Sequence, residues 1–237
     1  MSMPAPLQPK QLKPELLKQE PLQQGQLRLI SLYKSVQGES TRAGKPCVFV
    51  RLSGCPLRCR WCDSTYTFTG GKVYTLEAIV EEVRELGCGL VEITGGEPLS
   101  QPETPRLCQL LIEEGFTVMI ETSGALSIAA LPQKTHIIMD LKCPGSGMES
   151  YNLYDNVELL KPSDEVKFVM ASRQDFEWMQ DIVSQYGLER RCCVLLSPAF
   201  GLLKPQLLVE WMLESGIDGR LNLQIHKFIW HPNKKDV

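Results

Sequence analysis

Three cysteines within eight residues constrain this chain more than any other feature. They lie in GCPLRCRWCDSTYTF, residues 54–68, as Cys55, Cys59 and Cys62 in the spacing C-x3-C-x2-C. Thiolates so close in sequence converge on one soft metal centre, and the loop that carries them has to wrap around it. A structural zinc site takes four protein ligands, and no nearby cysteine or histidine supplies the fourth. A four-iron cluster has four corners, and three cysteines leave one iron open to an outside ligand. A zinc knuckle, or three unrelated buried thiols, is the competing reading.

The rest of the composition bounds the setting. The chain has 237 residues, enough for one α/β domain with a sizeable core, and its 43% hydrophobic content suits a soluble globular protein. No apolar run approaches the ~20 residues that span a bilayer, and the N-terminus has no apolar signal core. Nine cysteines, clustered and without a signal peptide, point to metal binding in a reducing cytosol, so a cytoplasmic location is expected. A net charge of −3 with mixed signs predicts neither a nucleic-acid groove nor a membrane surface. A small-molecule substrate is the expectation.

Residues 1–26 hold five prolines and no sustained apolar period, so a disordered or loosely docked extension is predicted there. The ordered domain, 27–237, opens with an alternating strand over 27–36, then a polar loop at 37–40. A second strand over 47–52 carries Arg51 in an otherwise apolar run and leads directly into the cysteines. Helices are predicted over 76–86, with Thr75 as N-cap, and over 103–114, 151–160, 173–186 and 205–214. Strands are predicted over 90–94, 116–120, 136–141, 165–170, 192–196 and 221–226. Alternating strand and helix patterns argue for a mostly parallel sheet. About six βα units make an incomplete TIM-like (β/α) barrel, with its active site at the C-terminal ends of the strands.

The cysteine spacing, with Trp61 just before the last cysteine, resembles that of the radical S-adenosylmethionine (SAM) enzymes. TGGEP at 94–98 resembles the GGE-like segment of the same enzymes, and a further set of segments follows in order: QGES at 37–40, FVRLSGC at 49–55, CDS at 62–64, ETSGA at 121–125, DLKCPGSG at 140–147 and LQIHKFIW at 223–230. Together they resemble the 7-carboxy-7-deazaguanine synthase family, over about residues 29–237. That resemblance implies a lyase of queuosine and 7-deazapurine biosynthesis. It would convert 6-carboxy-5,6,7,8-tetrahydropterin to 7-carboxy-7-deazaguanine by radical ring contraction with loss of ammonia. It further implies a [4Fe–4S] cluster on the three cysteines, SAM on the open iron, Mg²⁺, an external flavodoxin- or ferredoxin-like electron donor, and a homodimer.

Residue roles carry over by position. Trp61, Cys62, Asp63, Gly95, Gly96, Glu97, Glu121, Asp140, Lys142, Ser197 and Pro198 would face SAM. In particular, the GGE-like segment would meet its amino group, and Glu121, an acid without an evident partner, its hydroxyl or amine. Val36, Gln37, Gly38, Glu39, Arg51, Thr94, His226 and the terminal Val237 would face the pterin. Arg51 suits a bidentate carboxylate clamp and also a structural salt bridge. Ser64, where many members have threonine, keeps the oxygen a hard cation prefers. The other six cysteines read as packed residues, with Cys143 closest to the site by sequence. Two rivals stand beside this: an activating enzyme that abstracts hydrogen from a partner's glycine, and a non-enzymatic zinc module. The former expects a ferredoxin-like cysteine insert that the chain lacks.

Overall fold

The alternating stretch after residue 26 forms β1 (Gln26–Val36), which lies antiparallel to both β2 (Pro46–Leu52) and the short edge strand β3 (Lys72–Thr75). The structure is a computed structural model and describes Lys10 and residues 20–237. The extension predicted over 1–26 therefore falls mostly on residues 1–9 and 11–19, which lie outside the described residues.

From β2 onward every pairing is parallel. β4 (Leu90–Gly95), β5 (Thr117–Thr122), β6 (His136–Asp140), β7 (Glu165–Met170), β8 (Cys193–Pro198) and the two-residue β9 (Arg220–Leu221) follow in chain order. The sheet order is β3-β1-β2-β4-β5-β6-β7-β8-β9, and its two edges do not pair, so the barrel stays open. Four helices pack outside it: α1 (Leu76–Glu85), α2 (Thr104–Glu113), α3 (Arg173–Tyr186) and α4 (Pro205–Ser215). The Thr75 hydroxyl accepts from Ala78 N at 3.2 Å, the predicted cap of α1. Leu76, Ile79, Val80 and Val83 then form the buried stripe that the 3.6-residue period requires.

Strand alternation sorts side chains into two environments. Val48, Val50, Val91, Ile93, Val118, Ile120, Val166, Phe168, Val194 and Leu196 belong to the main core shared with the helices. Cys47, Phe49, Leu90, Met119, Ile138 and Leu195 form a separate apolar cluster on the inner face. That plug closes the barrel from below. The next inward positions, on these strands and on β7, are polar: Arg51, Glu92, Glu121, Asp140, Lys167 and Ser197.

Two predicted elements differ. Residues 151–160 form short 3₁₀ turns, Glu149–Tyr151 and Tyr154–Leu159, where a helix was expected. Asn152 bonds the backbone of Lys142 at 2.9 and 3.0 Å, and Asn156 bonds Ile128 N, Gly124 O and Leu126 O. These side chains tie the segment to its neighbours at the expense of a regular helix. The strand expected over 221–226 ends at Leu221, because Asn222 and Gln224 carry the chain across the barrel mouth. His226 opens the one-turn helix α5 (His226–Ile229).

Candidate active site

The strand ends and the loops after them enclose a cavity of about 570 Å³, within the range for a ligand site. Every site residue expected from the sequence lines it except Glu97.

At one end lies the cysteine loop. Gly54 N donates to Thr67 O at 2.7 Å and Arg60 N to Ser146 O at 3.0 Å. The Arg58 guanidinium donates to Cys55 O and Leu57 O and lies 4.0 Å above the Phe68 ring. A side chain at residue 96 would bring its Cβ within 2.1 Å of Gly54 O, so Gly96 is what lets the TGGEP turn sit against this loop. Burial pushes the Cys55 thiol up to about 12 and raises Cys59 and Cys62 as well, while the Lys142 ammonium pulls all three the other way. Among the described residues no three His, Cys, Asp or Glu side chains converge on a single ion site. Cys55, Cys59 and Cys62 all line the cavity, and three thiolates with an open fourth iron suit a four-iron cube.

Glu97 is the exception to the expected roles. It is fully buried and accepts from Leu99 N, Thr122 Oγ1, Ser123 N and Ser123 Oγ at 2.9, 2.8, 2.7 and 2.5 Å. Both carboxylate oxygens are taken, so it fastens the end of β4 to the end of β5 and turns away from the cavity. Glu121 also differs from expectation, for it has a partner: the Lys167 ammonium, with the Thr94 hydroxyl at 3.4 Å.

Lys167 was not singled out from the sequence, yet it occupies the centre of the site. Its side chain is 6% exposed and its ammonium also meets Glu39 at 3.0 Å and Asp140 at 3.8 Å. Burial alone would lower it; Glu121, Glu39 and Asp140 together hold it well above the ordinary lysine range. Glu39 in turn is kept below its ordinary value, burial being outweighed by Lys167 and the Gln224 amide. Lys142 pairs with Asp140 at 2.8 Å. The only hint of Lys167 in the sequence was a lone cation inside an apolar strand, EVKFVM.

The 37–41 loop is held from several sides. Gln37 spends its amide on Glu92 and on Glu39 N, the latter at 2.9 Å. Ser40 N donates to Asn222 Oδ1 at 2.7 Å, and the Thr41 hydroxyl to Glu165 Oε1 at 2.5 Å. A Cβ on residue 38 would fall 2.0 Å from His226 Nδ1, so Gly38 makes room for that ring. Burial holds His226 below the ordinary histidine range, leaving it neutral at pH 7. Arg51 reaches Tyr33 Oη at 3.1 Å, while its Nε is buried without a partner. Asp140 Oδ1 is likewise buried and unpartnered.

The C-terminal segment completes the rim. Asp63 accepts from Lys227 Nζ at 2.8 Å and Gln224 Nε2 at 3.0 Å, and the Ser64 hydroxyl donates to its other oxygen at 2.9 Å. Asp236 accepts from Ser31 Oγ at 2.7 Å, Lys235 lies 4.2 Å above the Tyr66 ring, and Val237 lines the cavity. Cys143, by contrast, is fully buried in the core.

An open parallel barrel that gathers a C-x3-C-x2-C loop at its strand ends is the build of a radical SAM protein, and the Radical SAM superfamily profile matches residues 49–143. The 7-carboxy-7-deazaguanine synthase of Koribacter versatilis is 45% identical, over 89% of this chain and all of that protein. That of Chlorobaculum tepidum is 38% identical, over 90% and 99%. The crystal structure of QueE from Escherichia coli superposes with a TM-score of 0.71 at 24% identity, covering 84% of this chain and 94% of that one. The chain belongs to the 7-carboxy-7-deazaguanine synthase family. Membership implies a [4Fe–4S] cluster, SAM, a small-molecule substrate and a reductant.

Proposed function

We propose that this cavity converts 6-carboxy-5,6,7,8-tetrahydropterin to 7-carboxy-7-deazaguanine by radical ring contraction with loss of ammonia. The observation that carries the reading is the buried, unpartnered Nε of Arg51 in the same cavity as the three cysteines. A guanidinium with a free donor suits a substrate carboxylate. Neutral His226 adds a ring N–H donor beside it, and Glu39, held ionised, accepts from N–H groups of the heterocycle. Gln37 shapes the loop that presents Glu39. Cys55, Cys59 and Cys62 would hold the cluster, which with SAM supplies the deoxyadenosyl radical. Asp140 Oδ1 offers an acceptor to SAM beside Lys142, and the Ser197 hydroxyl, already bonded to Asn222 at 2.9 Å, leaves its backbone for the adenine.

Mg²⁺ would sit at Ser64, completed by substrate oxygens, because a hard cation takes oxygen ligands and often shares them with its substrate. Residues 27–237 form one domain in this reading. Among the described residues no helix is long and apolar enough to cross a membrane, and a cytoplasmic enzyme fed by a flavodoxin- or ferredoxin-like donor is consistent with that. Phe200, Leu202 and Phe228 expose an apolar groove that supports a homodimer, and a monomeric holoprotein in sedimentation would remove that support.

The test is anaerobic incubation of the iron-loaded protein with SAM, reductant, Mg²⁺ and the carboxylated pterin, read by mass. Deoxyadenosine without the deazaguanine refutes the substrate. One zinc and no iron in the purified protein refutes the cluster. Ser64→Ala is expected to abolish Mg²⁺ stimulation and Ser64→Thr to retain it.

A further inference from the structure

Glu92 lies in the middle of β4, on the inward face, between Leu90 of the apolar plug and Thr94 at the strand end. Its lateral neighbours in register are Phe49 and Met119, both members of the plug. A glutamate therefore stands on the cavity floor where an apolar residue would pack well. It is 3% exposed. One oxygen accepts from the Gln37 amide, and the other has no protein partner among the described residues. Neither nearby cation makes an ion pair with it: Lys167 pairs with Glu39, Glu121 and Asp140, and Arg51 bonds Tyr33. Glu92 lines the cavity, so that second oxygen opens onto the space a substrate would fill.

We propose that Glu92 is a substrate-binding residue, its carboxylic acid group donating a hydrogen bond from the cavity floor to the ring carbonyl oxygen of the substrate's pyrimidinone. The inference rests on the pterin reading above and deepens it. Gln37, which fixes the acid's other oxygen, belongs to the loop that presents Glu39 to the same ring, so acid and loop address one edge of the substrate. Protonation follows from the surroundings. Burial, Glu121 and Glu39 raise Glu92 well above the ordinary carboxyl range, against the opposing pull of Arg51 and Lys167. Tyr33 and Cys47 face it as well, and both are pushed up in part by it. A neutral acid carries one O–H, and the pyrimidinone carbonyl is an acceptor only.

The experiment measures equilibrium binding of 6-carboxytetrahydropterin to the anaerobic, iron-loaded protein, with thermal unfolding alongside. Glu92→Leu is expected to weaken binding roughly tenfold to a hundredfold, the range of one buried hydrogen bond, while the melting temperature falls only by the cost of the Gln37 amide left without its acceptor. Glu92→Gln keeps a donor, so its affinity is expected within about threefold of wild type. Wild-type affinity is expected to fall as the pH rises through the ionisation of Glu92, and that limb should vanish in Glu92→Gln. Wild-type affinity for Glu92→Leu overturns the inference, as does a Glu92→Gln variant as weak as Glu92→Leu, because either removes the donor role. A Glu92→Leu variant that melts lower and binds normally assigns the acid to structure. Absence of pterin binding by the wild type overturns the pterin reading and this inference together.

Discussion

Replacing Glu97 by glutamine separates a structural role from a ligand contact. The change keeps shape and removes one charge. Each carboxylate oxygen of Glu97 now accepts one backbone N–H and one hydroxyl: Leu99 N with Thr122 Oγ1, and Ser123 N with Ser123 Oγ. A hydroxyl can turn round and accept from the new NH₂. A backbone N–H cannot, so whichever way the amide is placed, one buried N–H faces another donor. Losing one charge-assisted bond and stranding its donor costs about 3 kcal/mol, and relief from burying a charge returns about 1 kcal/mol. The net loss of about 2 kcal/mol corresponds to roughly 4–8 °C in a chain of this size. Thermal unfolding of the cluster-free protein, without SAM, measures it. A variant that melts within about 2 °C of wild type yet binds SAM poorly would refute the reasoning and return Glu97 to the cofactor.

Lys167→Met should be more damaging, because it leaves Glu39, Glu121 and Asp140 facing one another with no shared ammonium. Breaking a buried pair on one side costs about 3–5 kcal/mol. Glu39 and Glu121 should also titrate higher without the lysine's opposing charge, so residual pterin binding should shift its pH dependence upward. An unchanged melting temperature with unchanged binding would refute the central placement of this lysine. Removal of residues 235–237 should raise KM for the pterin about tenfold and leave SAM affinity unchanged, since the tail packs on the Ser31 and Tyr66 side of the rim. An equal loss of both would show that the tail acts through the whole cavity.

The sequence made the chemistry legible because its carriers sit close together in the chain. A metal-binding loop is a local object, and the spacing of Cys55, Cys59 and Cys62 proposes its ligand set before anything folds. Strand and helix periods are local too, which is why β7 and α3 appear at their expected bounds and most others within two residues. The strand over 221–226 failed for a non-local reason: Asn222 and Gln224 find their partners in Ser40, Glu39 and Asp63, far away in sequence. Glu97 shows the same limit from the other side, since the TGGEP turn was evident but the direction of its carboxylate depended on Thr122 and Ser123.

Hydrophobic alternation and cysteine spacing, both short-range patterns, thus settled the class of fold, the proposed cluster ligands and the strand ends where a site would form. Only tertiary structure decided which acids are ionised, which are spent on backbone donors and which stand unpaired. Charge state and hydrogen-bond satisfaction depend on neighbours brought together by the barrel: Lys167 lies 128 residues from Glu39 and 46 from Glu121. No local reading of EVKFVM or LVEIT could place that ammonium among three carboxylates, or leave Glu92 without one.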